Sequence, residues 1–135
     1  MIAYLDASAL VKLLRAEPES DALRTFVRGC DTVSSEIVAT EVLRTATREA
    51  AGSGSDLGEL IEGAMVVMEE VVLIMARTAT LVRAGLLEGM HLRALDAIHI
   101  ATATSLGDVD LFVTYDERQA ASAQLAGLTT ISPGA

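Results

Sequence analysis

The stretch Ile2-Ala3-Tyr4-Leu5 is apolar, and Asp6 follows it directly. A continuous apolar run, as opposed to an alternating one, is typical of a strand in a parallel sheet that is covered on both faces. The runs Val71-Val72-Leu73-Ile74-Met75 and Leu111-Phe112-Val113-Thr114-Tyr115 have the same character, and the second leads directly into Asp116. The sequence therefore predicts a parallel sheet in which two strands end at an aspartate.

Helical segments separate the strands along the chain. Weaker strand-like runs cover residues 31–34 and 129–131, and helical stretches cover residues 9–14, 20–28, 36–50, 56–70, 78–88, 94–106 and 117–126. Ser8 is the expected cap of the first helix, Ser20 or Asp21 of the second, and Asp56 is expected to open the fourth. This alternation predicts a three-layer α/β/α domain with a central, mainly parallel sheet of four to five strands. The Gly52-Ser53-Gly54-Ser55 segment is interpreted as a turn between helices, so a single domain is expected over residues 1–135.

The composition is that of one compact soluble domain. The chain has 135 residues, of which 51% are hydrophobic, and its single cysteine, Cys30, cannot form an internal disulfide. That favours a reducing cytoplasm. The first residues lack the basic segment of a signal peptide. Glu69 and Glu70 interrupt the most apolar stretch, which is shorter than the roughly 20 residues needed to span a bilayer. We therefore expect a cytoplasmic protein with no membrane attachment.

The formal net charge is −9, which is unfavourable for a protein that binds nucleic acid, because phosphate binding depends mainly on Lys and Arg. Two interpretations remain open. The negative charge can simply keep a hydrophobic small protein soluble. Alternatively, part of it is concentrated where divalent cations neutralise it, or where a basic protein partner binds.

Four acidic residues interrupt apolar sequence, whereas most of the others lie in polar stretches. Asp6 and Asp116 each follow a strand, at the sheet edge where α/β proteins place their functional groups. Asp96 lies near the start of an apolar helix, and Glu41 is expected in the middle of another. The alternative for each aspartate is a helix-start role such as capping. The alternative for Glu41 is a surface ion pair with Arg44 three residues later.

Several carboxylates in one pocket repel each other unless cations are present. An all-oxygen donor set without a cluster of His or Cys favours Mg²⁺ or Mn²⁺ over zinc. Such ions activate water and stabilise the leaving oxygen of a phosphodiester. Other chemistries find little support, because the chain has neither a Gly-x-Ser-x-Gly elbow nor a glycine-rich phosphate loop.

Four segments, in the same order as in the family, resemble motifs of the PIN-domain ribonucleases, and most closely those of the VapC-type toxins of bacterial toxin–antitoxin pairs. The segments are Tyr4-Leu5-Asp6-Ala7-Ser8-Ala9-Leu10-Val11-Lys12, Ser35-Glu36-Ile37-Val38-Ala39-Thr40-Glu41-Val42, Leu95-Asp96-Ala97-Ile98-His99-Ile100-Ala101-Thr102-Ala103 and Phe112-Val113-Thr114-Tyr115-Asp116-Glu117-Arg118. Each motif is weak alone, but the four together are specific and span nearly the whole chain.

The resemblance implies a PIN-like fold and a Mg²⁺- or Mn²⁺-dependent endoribonuclease. Its catalytic metal ligands would correspond to Asp6, Glu41, Asp96 and Asp116, and it would bind no other cofactor. The resemblance also implies that Ser8 and Thr114 orient those ligands. The implied partners are an RNA substrate, a second copy in a homodimer, and a cognate antitoxin whose basic tail fills the acidic site, often with an arginine.

Two other functions remain open from the sequence. In a haloacid-dehalogenase-type phosphatase, an aspartate after the first strand is phosphorylated, but that chemistry normally needs a second acid at position 8, which here is Ser8. A non-catalytic PIN-like binding module is the other alternative. His99 is expected in the core or behind the metal ligands. Arg44, Arg48 and Arg118 are expected to be solvated, with phosphate contact as the alternative, and the methionines Met65, Met68 and Met75 to pack in a core or dimer interface.

Overall fold

The computed structural model describes residues 1–89 and 91–135. The strands are β1 (Ile2–Leu5), β2 (Asp31–Ser35), β3 (Val72–Ile74), β4 (Leu111–Val113) and β5 (Thr130–Ile131). The helices are α1 (Ala7–Leu14), α2 (Ser20–Val27), α3 (Val38–Ser53), α4 (Leu57–Glu69), α5 (Thr78–Gly85), α6 (Ala94–Leu106) and α7 (Glu117–Leu125). The five strands form one sheet in the order β3-β2-β1-β4-β5, and every neighbouring pair is parallel. The predicted three-layer α/β/α fold is confirmed.

Strand β1 lies at the centre of the sheet, and its side chains divide between two layers. Ala3 and Leu5 belong to one core cluster, which includes residues of α1, α2, α3 and α4. Tyr4 points to the other face, where it packs with Phe112 and Ile100. Successive side chains of a strand point to opposite faces, so a central strand can be apolar throughout only when both faces are covered. This is why the opening run contains no polar residue before Asp6.

The prediction that strand β3 is buried on both faces is wrong. Val72 is 61% exposed and Leu73 is also exposed, because β3 is the last strand of the sheet and pairs only with β2. The nearby methionines are divided between buried and exposed positions. Met68 on α4 is buried in the core, whereas Met65 and Met75 are exposed. The apolar run therefore marks an exposed edge of the sheet, which the sequence pattern cannot distinguish from a covered strand.

Two helix starts differ from the prediction in ways that affect the site. Helix α1 begins at Ala7 because the carboxylate of Asp6, and not the hydroxyl of Ser8, accepts the capping hydrogen bond from the Ala9 N–H. Helix α3 begins at Val38, so Glu41 lies in its first turn and not in its middle. Helix α2 is capped at Glu19 without a side-chain hydrogen bond, whereas Ser20 or Asp21 was expected there. Asp56 caps α4 as predicted.

The register of the central strands brings the two expected acidic ends together. Leu5 of β1 pairs with Val113 of β4, and the Asp6 N–H donates to the Val113 carbonyl at 3.2 Å. Asp6 and Thr114 therefore leave the sheet side by side at its carboxyl edge.

Of the helices in residues 1–89 and 91–135, none has the length and apolar character required to cross a membrane.

The core packing gives a prediction with a matched control. Leu10 on α1 is fully buried, whereas Leu125 at the end of α7 is 79% exposed. Leu10→Ala should lower the free energy of unfolding by about 2–5 kcal/mol, because it removes buried methyl groups and leaves a cavity. Leu125→Ala should change that free energy by less than about 0.5 kcal/mol. Urea denaturation of both variants measures the difference, and equal losses would contradict the assigned core.

Candidate active site

Asp6 is the most enclosed carboxylate of the predicted set. Its Oδ1 accepts hydrogen bonds from the Ser8 hydroxyl at 2.6 Å and from the Ala9 N–H at 3.0 Å. Its Oδ2 accepts one from the Thr114 hydroxyl at 2.5 Å. Burial raises the pKa of Asp6 above its usual value, and the hydrogen bonds from Ser8, Thr114 and Ala9 oppose that rise. Both carboxylate oxygens are therefore held in fixed directions by donors from α1 and the end of β4.

The two hydroxyls that hold Asp6 are themselves fixed by the backbone. The Ser8 hydroxyl accepts a hydrogen bond from the Tyr115 N–H at 2.9 Å. The Thr114 hydroxyl accepts one from the Asp116 N–H at 3.1 Å. Ser8 and Thr114 thus connect the end of β1 to the loop that follows β4. The structure places both beside the acidic residue that they were expected to orient.

Asp116 is exposed and caps helix α7. Its Oδ1 accepts hydrogen bonds from the backbone N–H groups of Arg118, at 2.9 Å, and Gln119, at 3.2 Å. The capping alternative considered for Asp6 and Asp116 therefore holds for both residues. Capping does not exclude a second role for Asp116, because the recorded bonds use only one of its two oxygens.

Asp96 lies in the first turn of helix α6 and is partly buried. Its pKa is raised above the usual value, first by burial and then by the negative charges of Asp116, Asp6 and Glu41. Helix α7 lies against this turn, since the Gln119 amide donates to the Asp96 carbonyl at 3.2 Å. Asp96 therefore lies near enough to the other three carboxylates predicted from sequence for their charges to act on it.

Glu41 has a partner that the sequence analysis did not identify. Its Oε1 lies 2.6 Å from Nε2 of His99, whose side chain is almost fully buried. Among the described residues, no ion pair joins Glu41 to Arg44, which was the alternative suggested by their spacing. His99 comes 58 positions after Glu41. A separation of this length leaves no local sequence signal for the contact.

Two open clefts share Ser8, and each is lined by one of the predicted carboxylates. One has a volume of about 480 Å³, and its lining includes Ser8, Glu41, Arg44 and Arg48. The other has a volume of about 440 Å³ and is lined by Ser8, Arg93, Tyr115, Asp116, Glu117 and Arg118. Ser8 lines both clefts and also binds the buried Asp6. Arginines therefore lie on both sides of the acidic centre, and Arg93 is one that the sequence analysis did not single out.

The donor chemistry of the site fits a hydrated divalent cation. Within residues 1–89 and 91–135, no group of three or more His, Cys, Asp or Glu side chains is already arranged to hold a metal ion. Mg²⁺, however, commonly keeps several of its waters and binds directly to only one or two carboxylates. A partly buried Asp96 whose pKa is raised by three neighbouring negative charges is a place where a cation would relieve repulsion. The oxygen-only set therefore fits Mg²⁺ or Mn²⁺.

Comparisons with known proteins identify the family of the chain. The family model of the PIN domain matches residues 3–125. Ribonuclease VapC46 of Mycobacterium tuberculosis strain H37Rv is 40% identical over 133 residues, covering 96% of this chain and 96% of that protein. Ribonuclease VapC47 of strain CDC 1551 is 34% identical over 140 residues, covering 98% of this chain and 97% of that protein.

A solved structure shares the fold at low sequence identity. It is the crystal structure of VapBC2 from Rickettsia felis bound to a DNA fragment from their promoter. The match has a TM-score of 0.73 and 13% sequence identity, and it covers 98% of this chain and 99% of that chain. The motif order, the parallel sheet and the relatives lead to one assignment. The chain belongs to the PIN-domain family, in its VapC group.

Proposed function

We propose that this protein is the toxin of a toxin–antitoxin pair, a cytoplasmic endoribonuclease that uses Mg²⁺ or Mn²⁺ to hydrolyse RNA phosphodiester bonds. One observation carries the proposal: Asp96 is partly buried, which raises its pKa, and the negative charges of Asp116, Asp6 and Glu41 raise that pKa further. Crowding four negative charges is unfavourable in a protein that binds no cation. The names of the ribonuclease relatives support the same activity.

The four carboxylates have separate parts in this proposal. Asp6, Glu41, Asp96 and Asp116 would hold the cation, directly or through water. A divalent cation bound there supplies a nucleophilic water and stabilises the charge that develops on the leaving oxygen. The Ser8 and Thr114 hydroxyls hold Asp6 at a fixed angle, so that its position does not have to be organised during the reaction.

The positions of the arginines support RNA as the substrate despite the net charge of −9. Lys12, Arg15 and Arg24 form ion pairs with acidic residues. In the described part of the chain, the arginines of the two clefts form no such pair; they are Arg44, Arg48, Arg93 and Arg118. A strand that crosses the carboxylates could place phosphates in both clefts against these guanidinium groups. The positive charge of these arginines, and not the net charge of the whole protein, would then govern RNA binding.

Two protein partners belong to the same proposal. An antitoxin with a basic tail could place an arginine among the carboxylates, where a bidentate ion pair is favourable. A second copy of the chain could cover exposed apolar side chains of the adjacent elements α4 and β3, which include Met65, Val66 and Val72. Apolar side chains grouped in this way are typical of protein interfaces.

Asp96→Asn should abolish metal-dependent cleavage of RNA. The substitution removes a negative charge from the proposed cation site while nearly preserving side-chain size. Purified protein is incubated with total RNA in Mg²⁺, in Mn²⁺ and in EDTA, and fragments are resolved by gel electrophoresis. Asp108→Asn is the matched control, because this exposed residue precedes β4 at the opposite edge of the sheet. Full activity of Asp96→Asn with added Mg²⁺ would show that the proposed site is wrong.

Without metal, Asp96→Asn should raise the melting temperature at neutral pH. Folding raises the pKa of Asp96, so the ionised residue destabilises the folded protein once the pH has risen through that pKa. The gain in melting temperature from the substitution should therefore vanish below the ordinary aspartate pKa of 3.8. Asp116→Ala should instead lower stability by about 0.5–2 kcal/mol, because it removes the cap of α7. Differential scanning calorimetry in EDTA measures both effects. A lower melting temperature for Asp96→Asn at pH 7 would identify Asp96 as a structural residue.

Arg93→Gln and Arg118→Gln should each weaken RNA binding and make it less dependent on salt. In the Asp96→Asn background, which prevents cleavage, each lost phosphate contact should reduce the slope of log affinity against log salt by about 0.7. Arg28→Gln is the control, because Arg28 is exposed at the end of α2 and lines neither cleft. Fluorescence anisotropy with a labelled single-stranded RNA gives the slopes. An unchanged slope in both variants would show that neither Arg93 nor Arg118 contacts RNA phosphates.

A further inference from the structure

A buried chain of hydrogen bonds leads from the sheet to Glu41. The backbone N–H of Ser35 lies 3.0 Å from the Tyr4 hydroxyl, which lies 2.8 Å from Nδ1 of His99. Nε2 of His99 in turn lies 2.6 Å from Oε1 of Glu41. The four residues come from β2, β1, α6 and α3, and they are brought together only by the tertiary fold.

The carboxylate of Glu41 sets the direction of the last bond in this chain. An ionised carboxylate only accepts hydrogen bonds, so Nε2 of His99 carries the hydrogen that is donated to Glu41. In the neutral imidazole with that hydrogen on Nε2, Nδ1 is an acceptor, and the Tyr4 hydroxyl, which itself accepts from the Ser35 N–H, donates to it.

The end of the chain lies in the proposed active site and not in the core. Glu41 retains 15% side-chain exposure, whereas His99 retains 1%, and Glu41 lines the cleft that also contains Arg44 and Arg48. A hydrogen bond that served only to brace the helices could end on a buried carbonyl. Here it ends on a carboxylate that is partly exposed and lines an open cleft.

We infer that His99, held by Tyr4, is a positioning residue that fixes Oε1 of Glu41 and leaves Oε2 as the oxygen available to a divalent cation. The inference rests on the proposed metal-dependent function, which it deepens. Without the imidazole, the flexible Glu41 side chain would sample several rotamers, and only some of them would direct Oε2 toward a cation. Groups that orient a metal ligand from behind commonly change metal affinity by about 10–100-fold when they are removed.

The test compares the affinity of full-length variants for MnCl₂ by isothermal titration calorimetry. His99→Leu removes the donor to Glu41 and should weaken Mn²⁺ binding by about 10–100-fold. His99→Gln carries an amide N–H that can replace the Nε2 donor, and should recover most of that loss. Tyr4→Phe removes the hydroxyl that fixes the imidazole, and should weaken binding less than His99→Leu does. If His99→Leu fails to fold, the His99→Gln and Tyr4→Phe variants still test the chain.

Ile100→Val separates positioning from general loosening of helix α6. Ile100 is fully buried beside His99 in the sequence, and its shortening should cost about 0.5–1.5 kcal/mol of stability without changing Mn²⁺ affinity. RNA cleavage adds a second readout, because His99→Leu should be slow at limiting Mn²⁺ and recover at saturating Mn²⁺. A structural defect would not be reversed by added metal.

The outcomes distinguish the two proposals. If the unmodified protein binds Mn²⁺ and cuts RNA while His99→Leu folds and binds Mn²⁺ as Ile100→Val does, the positioning role is overturned and the ribonuclease proposal stands. If the unmodified protein binds no Mn²⁺ and cuts no RNA, the proposed function fails, and the role of His99 fails with it.

Discussion

The structure depends on one buried carboxylate, that of Asp6 at the end of the central strand. A carboxylate removed from water is costly unless hydrogen bonds replace its hydration. Three donors supply them, from Ser8, Ala9 and Thr114. The same bonds start helix α1 and hold β1 to the loop after β4. The requirement to satisfy one charge thus fixes the edge of the sheet where the other acidic residues meet.

The remaining acids make that edge electrostatically unfavourable. Asp96 is partly shielded from water and experiences the charges of the other three carboxylates. Its ionised form therefore lowers the stability of the folded protein when no cation is bound. The basic residues are distributed to match. Lys12, Arg15 and Arg24 form ion pairs with nearby acids. Within residues 1–89 and 91–135, the arginines that line the two clefts form no such pair. An overall charge of −9 therefore says little about the field that a substrate meets at this edge.

The sequence predicted the parts of this arrangement that depend on local patterns. Apolar runs ending at Asp6 and Asp116 predicted the parallel sheet and its acidic edge, and the four-motif order predicted the family. Contacts distant in sequence were not predictable in the same way. The Glu41–His99 bond joins residues 58 positions apart, and the Tyr4–His99 bond joins residues 95 positions apart. The exposure of β3 was missed because an apolar run looks the same in a central strand and in one at the edge.

The environment of Asp6 also separates hydrolysis through a metal-bound water from the phosphatase alternative. An aspartate that attacks phosphorus must present a free, accessible oxygen to its substrate. Asp6 is 4% exposed, and both of its oxygens accept hydrogen bonds. Ser8, at the position where the phosphatase requires a second acid, instead donates to Asp6. The more accessible carboxylates are those of Asp96, Asp116 and Glu41, and the last two line the two clefts that share Ser8. Asp6 is fixed by hydrogen bonds and has more accessible carboxylates near it, an arrangement that suits the organisation of a hydrated cation. That role requires Asp6 to be fixed in place but does not require it to form a covalent bond.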